Sequence, residues 1–115
     1  MSRTEREKGK RGEREVAELL RRYGFAGRRT SQYCGNTGNA SDVVGIDGMH
    51  IEVKRCERTE IGKWMAQAVH DCGDNVPAVF HRRSREAWLV TLNAEDFLKI
   101  ITGDMSNENR NSKTI

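Results

Sequence analysis

The sequence predicts an α/β domain in which a central mixed β-sheet is flanked by helices. Three observations support this class: an amphipathic helix near the N-terminus, a charged hairpin in the middle of the chain, and a helix, two strands and a short helix after it. No internal repeat and no linker-like stretch marks a second domain. We therefore expect one domain over residues 1–102 and a polar, aperiodic and disordered tail over residues 103–115.

The first helix is predicted over residues 12–23, and Gly24 follows at the usual position for a helix end. An earlier start within residues 4–10 is open, although Gly9 and Gly12 disfavour it. Apolar residues at spacings of three and four form one predicted stripe: Val16, Leu19, Leu20 and Tyr23.

The segment FAGRRTS, residues 25–31, is predicted to be the first strand, and the Gly-, Asn- and Ser-rich residues 32–41 a loop. Residues 41–55, SDVVGIDGMHIEVKR, form a predicted hairpin around Asp47-Gly48. This dipeptide is favoured in tight turns because both positions tolerate positive φ.

A second helix is predicted over residues 60–72, with a buried stripe formed by Ile61, Met65, Ala68, Val69 and Cys72. The segments AVFHR and AWLVTL then read as two strands joined by the charged turn RSRE. Asn93 occupies the N-cap position of a final short helix, AEDFLKII. Trp64 and Trp88 are expected to belong to the core or to an interface.

The composition, 36% hydrophobic and 32% charged, favours a cytoplasmic protein without a membrane span, since apolar runs are only a few residues long. The basic N-terminus has no apolar segment behind it, so it is not a secretory signal. Cys34, Cys56 and Cys72 are odd in number and far apart, which favours reduced thiols.

Positive charge is concentrated at the start of the chain, where residues 1–29 contain ten lysines and arginines against five glutamates. A solvated helix surface explains this distribution as well as a surface that binds phosphates does. Charge alone leaves both interpretations open.

The charged residues of the hairpin are unusual in strands otherwise rich in Val and Ile. Glu52 and Lys54 are two apart and therefore lie on one face of the sheet, and Asp42 opens the first strand. They are either a solvated face or a site in which two carboxylates bind a divalent cation and a lysine assists an attacking water. Burial of the strands favours the second interpretation, because buried charges are costly unless paired or metal-bound.

The motif Ser-Asp, nine residues, then Glu-Val-Lys resembles the PD-(D/E)xK nuclease signature, with Ser41 where many members have proline. The stretch KGKRGEREVAELLRRYGFAGRRTS resembles the opening of archaeal Holliday-junction resolvases and their phage-encoded relatives. The resemblance covers residues 8–56 and continues more loosely through PAVFHRR and AWLVTL. It implies a restriction-endonuclease-like fold, Mg²⁺ or Mn²⁺ as cofactor, no small-molecule cofactor, and a homodimer that cuts branched DNA.

The resemblance also implies roles for individual residues. Asp42, Glu52 and the carbonyl of Val53 would be metal ligands, and Lys54 the catalytic lysine. Glu13 would complete the acidic cluster, with Glu15 as the rival for that role. Gln67 on the second helix would assist catalysis. The residues expected to contact DNA are Lys8, Lys10, Arg11, Arg14, Arg29 and Ser31. A flap or nicking nuclease of the same fold and a DNA-binding module that does not cut are the alternatives.

The register of the hairpin raises a geometric problem for this site. A strict two-residue turn at Asp47-Gly48 would pair Asp42 with Val53 and turn it away from Glu52. A bulge at Gly45, a three-residue turn, or an Asp42 that precedes regular pairing would each correct the face. We favour the bulge at Gly45.

Overall fold

The computed structural model describes residues 3–30 and 41–103. Ser31, the predicted loop that follows it up to residue 40, Cys34 and the predicted tail beyond Gly103 lie outside these ranges. No helix within the described ranges is both long and apolar enough to cross a membrane.

The first helix, α1 (Arg3–Arg22), begins well before residue 12. Gly12 lies where α1 approaches the sheet, and a Cβ there would stand 3.0 Å from the Cβ of Arg55. The glycine therefore permits a close contact rather than ending the helix. Gly24 adopts a φ of 94°, and the N–H of Phe25 donates to the carbonyl of Leu20, which closes the helix end as predicted.

The sheet has five strands in the order β1-β2-β3-β4-β5. The strands are β1 (Arg28–Arg29), β2 (Val43–Val44), β3 (Met49–Arg55), β4 (Val76–Arg82) and β5 (Leu89–Leu92). Only the β3–β4 pair is parallel; β1–β2, β2–β3 and β4–β5 are antiparallel. The predicted mixed sheet is thus confirmed, and α2 (Ile61–Asp71) provides the crossover that a parallel pair requires.

The two long helices cover opposite faces of the sheet. From α1, Val16, Ala17 and Leu20 pack on Ile51 and Val53 of β3, which face the same side. Tyr23 does not extend this stripe, as the sequence predicted, but is 76% exposed because it follows the last turn of the helix.

On the other face, α2 buries Trp64 and Ala68 against Val79. The predicted stripe is wrong in phase, because Ile61 and Val69 are exposed. The large Trp64 ring determines which side of the helix faces the sheet, and it lies 5.6 Å from the ring of His81. Finally, α3 (Ala94–Ile101) follows β5, with Asn93 at its N-cap position as predicted.

Candidate active site

The hairpin contains the one-residue correction that the sequence required. The turn is a two-residue turn, closed by the N–H of Met49 and the carbonyl of Ile46 at 3.2 Å. Strict pairing from this turn would place Val43 opposite Glu52, yet its partner is Ile51. One extra residue therefore lies on the β2 side of the hairpin.

Gly45 accommodates this extra residue. Its φ is 142°, which L side chains rarely adopt, and a Cβ would lie 2.8 Å from the carbonyl oxygen of Ala26. The prediction of a bulge at Gly45 is confirmed. Asp42 consequently pairs in the register that brings it onto the face of Glu52.

Asp42 lies in a strongly acidic environment. Its Oδ2 accepts a hydrogen bond from the N–H of Val53 at 2.9 Å. Burial and then the charge of Glu52 raise the pKa of Asp42 to about 7, with a further contribution from Glu13; the Val53 hydrogen bond and the charge of Lys54 oppose this rise. The environment therefore favours a bound proton or a bound cation over two bare carboxylates.

Lys54 and Gln67 are brought together by β3 and α2. The Nζ of Lys54 donates to the Oε1 of Gln67 at 3.1 Å. Lys54 is on the same side of β3 as Glu52, because residues two apart share a face. The amide thus holds the ammonium group beside the two carboxylates.

The two candidate glutamates of α1 point to different places. Glu13 Oε1 is 3.0 Å from Arg29 Nε, and its charge acts on Asp42. Glu15 instead accepts from the indole N–H of Trp88 at 3.1 Å and lies 3.5 Å from Arg82 Nε. The structure therefore brings Glu13, rather than Glu15, to the site.

The basic residues predicted to meet DNA differ in their surroundings. Lys8 is 2.9 Å from Glu57, and Arg29 is tied to Glu13. Arg11 and Arg14 are exposed on α1, and Lys10 is half-buried. Ser31 lies outside the described residues.

A buried hydrogen-bonded chain behind Glu52 escaped the sequence reasoning. Ser41 Oγ lies 2.8 Å from His50 Nδ1, and His50 Nε2 lies 2.7 Å from Glu52 Oε2. His50 and Glu52 are each only 2% exposed. The available signal was the His-x-Glu spacing on one strand, which places both side chains on one face.

Comparison with known proteins identifies the family. A family model described as phage putative PDDEXK endonuclease matches residues 4–114 of the chain. The chain belongs to this family. It is therefore an endonuclease of the PD-(D/E)xK type, which cuts DNA.

The fold of this PDDEXK endonuclease is also similar to a solved structure. Hjc from Archaeoglobus fulgidus, a Holliday junction resolvase from an archaeal hyperthermophile, matches with a TM-score of 0.57 and 24% identity over 73% of this chain and 76% of that one. The similarity confirms the restriction-endonuclease-like fold. No curated protein matches the chain significantly.

The oxygen atoms at the PDDEXK site suit a hard divalent cation such as Mg²⁺. Within residues 3–30 and 41–103, no three His, Cys, Asp or Glu side chains are grouped closely enough to hold a metal by themselves. Asp42 and Glu52 would therefore need a further ligand. The N–H of Val53 points toward Asp42, and in a strand the carbonyl of a residue points to the same side as its N–H. The Val53 carbonyl fits that requirement.

A cavity of about 310 Å³ lies beside this PDDEXK site but does not contain its carboxylates. It is lined by the β2–β3 turn and the end of α2, together with Ser41 and His50. Asp42, Glu52 and Lys54 stand outside it, as expected for a site whose substrate is a polymer rather than a small molecule.

Proposed function

We propose that this endonuclease hydrolyses phosphodiester bonds in branched DNA, such as Holliday junctions, with Mg²⁺ or Mn²⁺ and as a homodimer in the cytoplasm of a prokaryotic or phage-infected cell. The observation that carries the proposal is the convergence of Asp42, Glu52 and Lys54 on one hairpin face through the Gly45 bulge. Similarity of the fold to a Holliday junction resolvase supports the branched substrate.

Asp42, Glu52 and the Val53 carbonyl would hold the cation. When bound, the ion supplies Lewis acidity and neutralises charge on the phosphate. Lys54, held by Gln67, orients the attacking water and stabilises the negative charge that develops on the phosphate oxygens. Hydrolysis forms a bond from water oxygen to phosphorus and breaks the bond to the 3′ oxygen, leaving 5′-phosphate and 3′-hydroxyl ends.

Contact with the DNA backbone would come from α1. Arg11 and Arg14 are three residues apart, so they are neighbours on the helix surface, and both are exposed. Glu13 of the same helix acts on Asp42. The helix that presents these arginines therefore also borders the carboxylates, which would keep bound phosphates close to the site.

The homodimer is proposed to form through the β5–α3 surface. This surface contains five large exposed apolar residues: Leu89, Val90, Phe97, Leu98 and Ile101. β5 is an edge strand, and α3 contacts the rest of the described fold less than α1 or α2 does. An apolar patch on an open edge is a typical association site, and two copies would provide two active sites for two strands.

Cleavage of matched substrates tests the activity. Four-way junction, flap, single-stranded and linear duplex DNA of shared sequence would be incubated with Mg²⁺ or with EDTA. We expect junction cleavage with Mg²⁺ alone and none by Asp42→Asn. Preference for the flap, or nicking of duplex, would replace the resolvase assignment, and binding without cleavage by the wild type would overturn the catalytic one.

Sedimentation tests the dimer. Leu98→Glu introduces a charge at the centre of the β5–α3 surface and should yield a monomer, whereas Glu95→Gln on the same exposed helix should leave the dimer unchanged. A wild-type chain that sediments as a monomer would contradict this part of the proposal.

A further inference from the structure

We propose that His50 and Ser41 are positioning residues that hold Glu52 so that it offers a single oxygen to the cation, which favours Mg²⁺ and Mn²⁺ over Ca²⁺. The inference rests on the proposed metal site and adds two residues to it. Its basis is the buried chain Ser41 Oγ–His50 Nδ1–His50 Nε2–Glu52 Oε2, with links of 2.8 and 2.7 Å.

One arrangement of protons satisfies all three groups with Glu52 ionised and His50 neutral. The Nε2–H of His50 donates to Glu52, so Nδ1 carries the lone pair and accepts from the Ser41 hydroxyl. The other tautomer would set a lone pair against the carboxylate. The Ser41 hydroxyl therefore selects the tautomer that binds Glu52.

The chain also connects the two segments that carry the carboxylates. Ser41 directly precedes Asp42, and its carbonyl accepts from the Thr30 hydroxyl at 2.7 Å. His50 and Glu52 belong to β3. The hydrogen bond between Ser41 and His50 therefore fixes the spacing of Asp42 and Glu52 at a position where the PD-(D/E)xK signature has proline.

The geometry has a consequence for the choice of cation. Because His50 engages Oε2 of Glu52, the carboxylate has Oε1 left for a metal. Ca²⁺ accepts bidentate carboxylates and up to eight ligands, whereas Mg²⁺ requires compact octahedral geometry. A carboxylate held to one oxygen thus disfavours Ca²⁺. Partners that orient metal ligands in this way typically account for about 10- to 100-fold in metal affinity.

Metal binding to metal-free protein tests the inference without any cleavage assay. Mn²⁺ would be titrated by the electron paramagnetic resonance of the free ion, and Mg²⁺ and Ca²⁺ would compete for the bound Mn²⁺. His50→Leu should weaken Mn²⁺ binding about 10- to 100-fold and lower the preference for Mg²⁺ over Ca²⁺. His50→Gln, whose amide provides both a donor and an acceptor, should restore both values.

Ser41 provides an independent pair of variants. Ser41→Ala should shift the same preference in the same direction, and Ser41→Thr, which keeps the hydroxyl, should restore it. If His50→Leu does not fold, as judged by circular dichroism, this pair decides the question. An unchanged preference for Mg²⁺ over Ca²⁺ in Ser41→Ala and in any folded His50→Leu overturns the inference.

The failure of the metal site itself has a different signature. In that case the wild type binds no Mn²⁺, or Asp42→Asn binds it as well as the wild type. Wild-type binding that Asp42→Asn abolishes, together with unaltered binding in the His50 and Ser41 variants, would leave the proposed function intact and remove the positioning role.

Discussion

Asp42 should make the metal-free protein less stable as the pH rises from about 4 to 7. In the unfolded chain this carboxyl releases its proton near its ordinary pKa of 3.8, whereas in the folded chain its pKa is about 7. Between these values the folded state binds more protons than the unfolded state, so the free energy of unfolding falls with increasing pH. At about 1.4 kcal/mol per pKa unit, the loss has an upper limit of about 4 kcal/mol.

Removing the charge should therefore stabilise the protein while destroying its proposed function. Asp42→Asn keeps an oxygen that can accept from the Val53 N–H. In EDTA at pH 8 the variant should resist urea better than the wild type, by up to about 4 kcal/mol, and at pH 4 the two should converge. Mg²⁺ should stabilise only the wild type, because it replaces the missing countercharge.

Asp47→Asn is the matched control, since it makes the same chemical change in the exposed turn of the same hairpin. Its difference from the wild type should not vary over this pH range. The reasoning is refuted if Asp42→Asn is no more stable than the wild type in EDTA at pH 8, or if Mg²⁺ stabilises both proteins equally.

Three further predictions concern catalysis, the hairpin and DNA contact. Lys54→Met should bind junction DNA in mobility-shift assays but cut it on the order of 10²-fold more slowly; near wild-type cleavage would remove Lys54 from catalysis. Gly45→Ala should lower the free energy of unfolding by about 1–3 kcal/mol, whereas Gly62→Ala, with open space around it, should not lower it; equal urea midpoints would contradict the strained bulge. Replacing Arg11 and Arg14 by Gln should reduce the salt dependence of DNA affinity by about one power per contact, and an unchanged slope would return them to solvent.

The sequence was sufficient for those features that depend on local periodicity. The alternation of β3 placed Glu52 and Lys54 on one face, and the conflict between the Asp47-Gly48 turn and the site identified Gly45 as the correction. Both deductions need only the two-residue period of a strand. The assignment of Glu13 needed the helix as well, and its separation from Glu15 follows from the 3.6-residue period.

Features that depend on packing between distant segments could not be predicted in this way. In α2, apolar residues border Trp64 on both sides, so the helical period alone does not determine which side is buried. The early start of α1 required knowing that Gly12 faces Arg55 across a close contact. The Ser41–His50 hydrogen bond exists only once the register of the hairpin is known, because Ser41 has no fixed partner in the sequence.

The bulge at Gly45 makes the site sensitive to the parity of the hairpin rather than to its length. Deleting that one residue would restore strict pairing and send Asp42 to the α1 face, although the turn and most of the strands would be unaltered. Inserting two residues in the same arm would return Asp42 to the side of Glu52. Among natural or designed variants of this chain, an odd change in length between Asp42 and the turn should therefore mark a nuclease that has lost its site, and an even change one that has kept it.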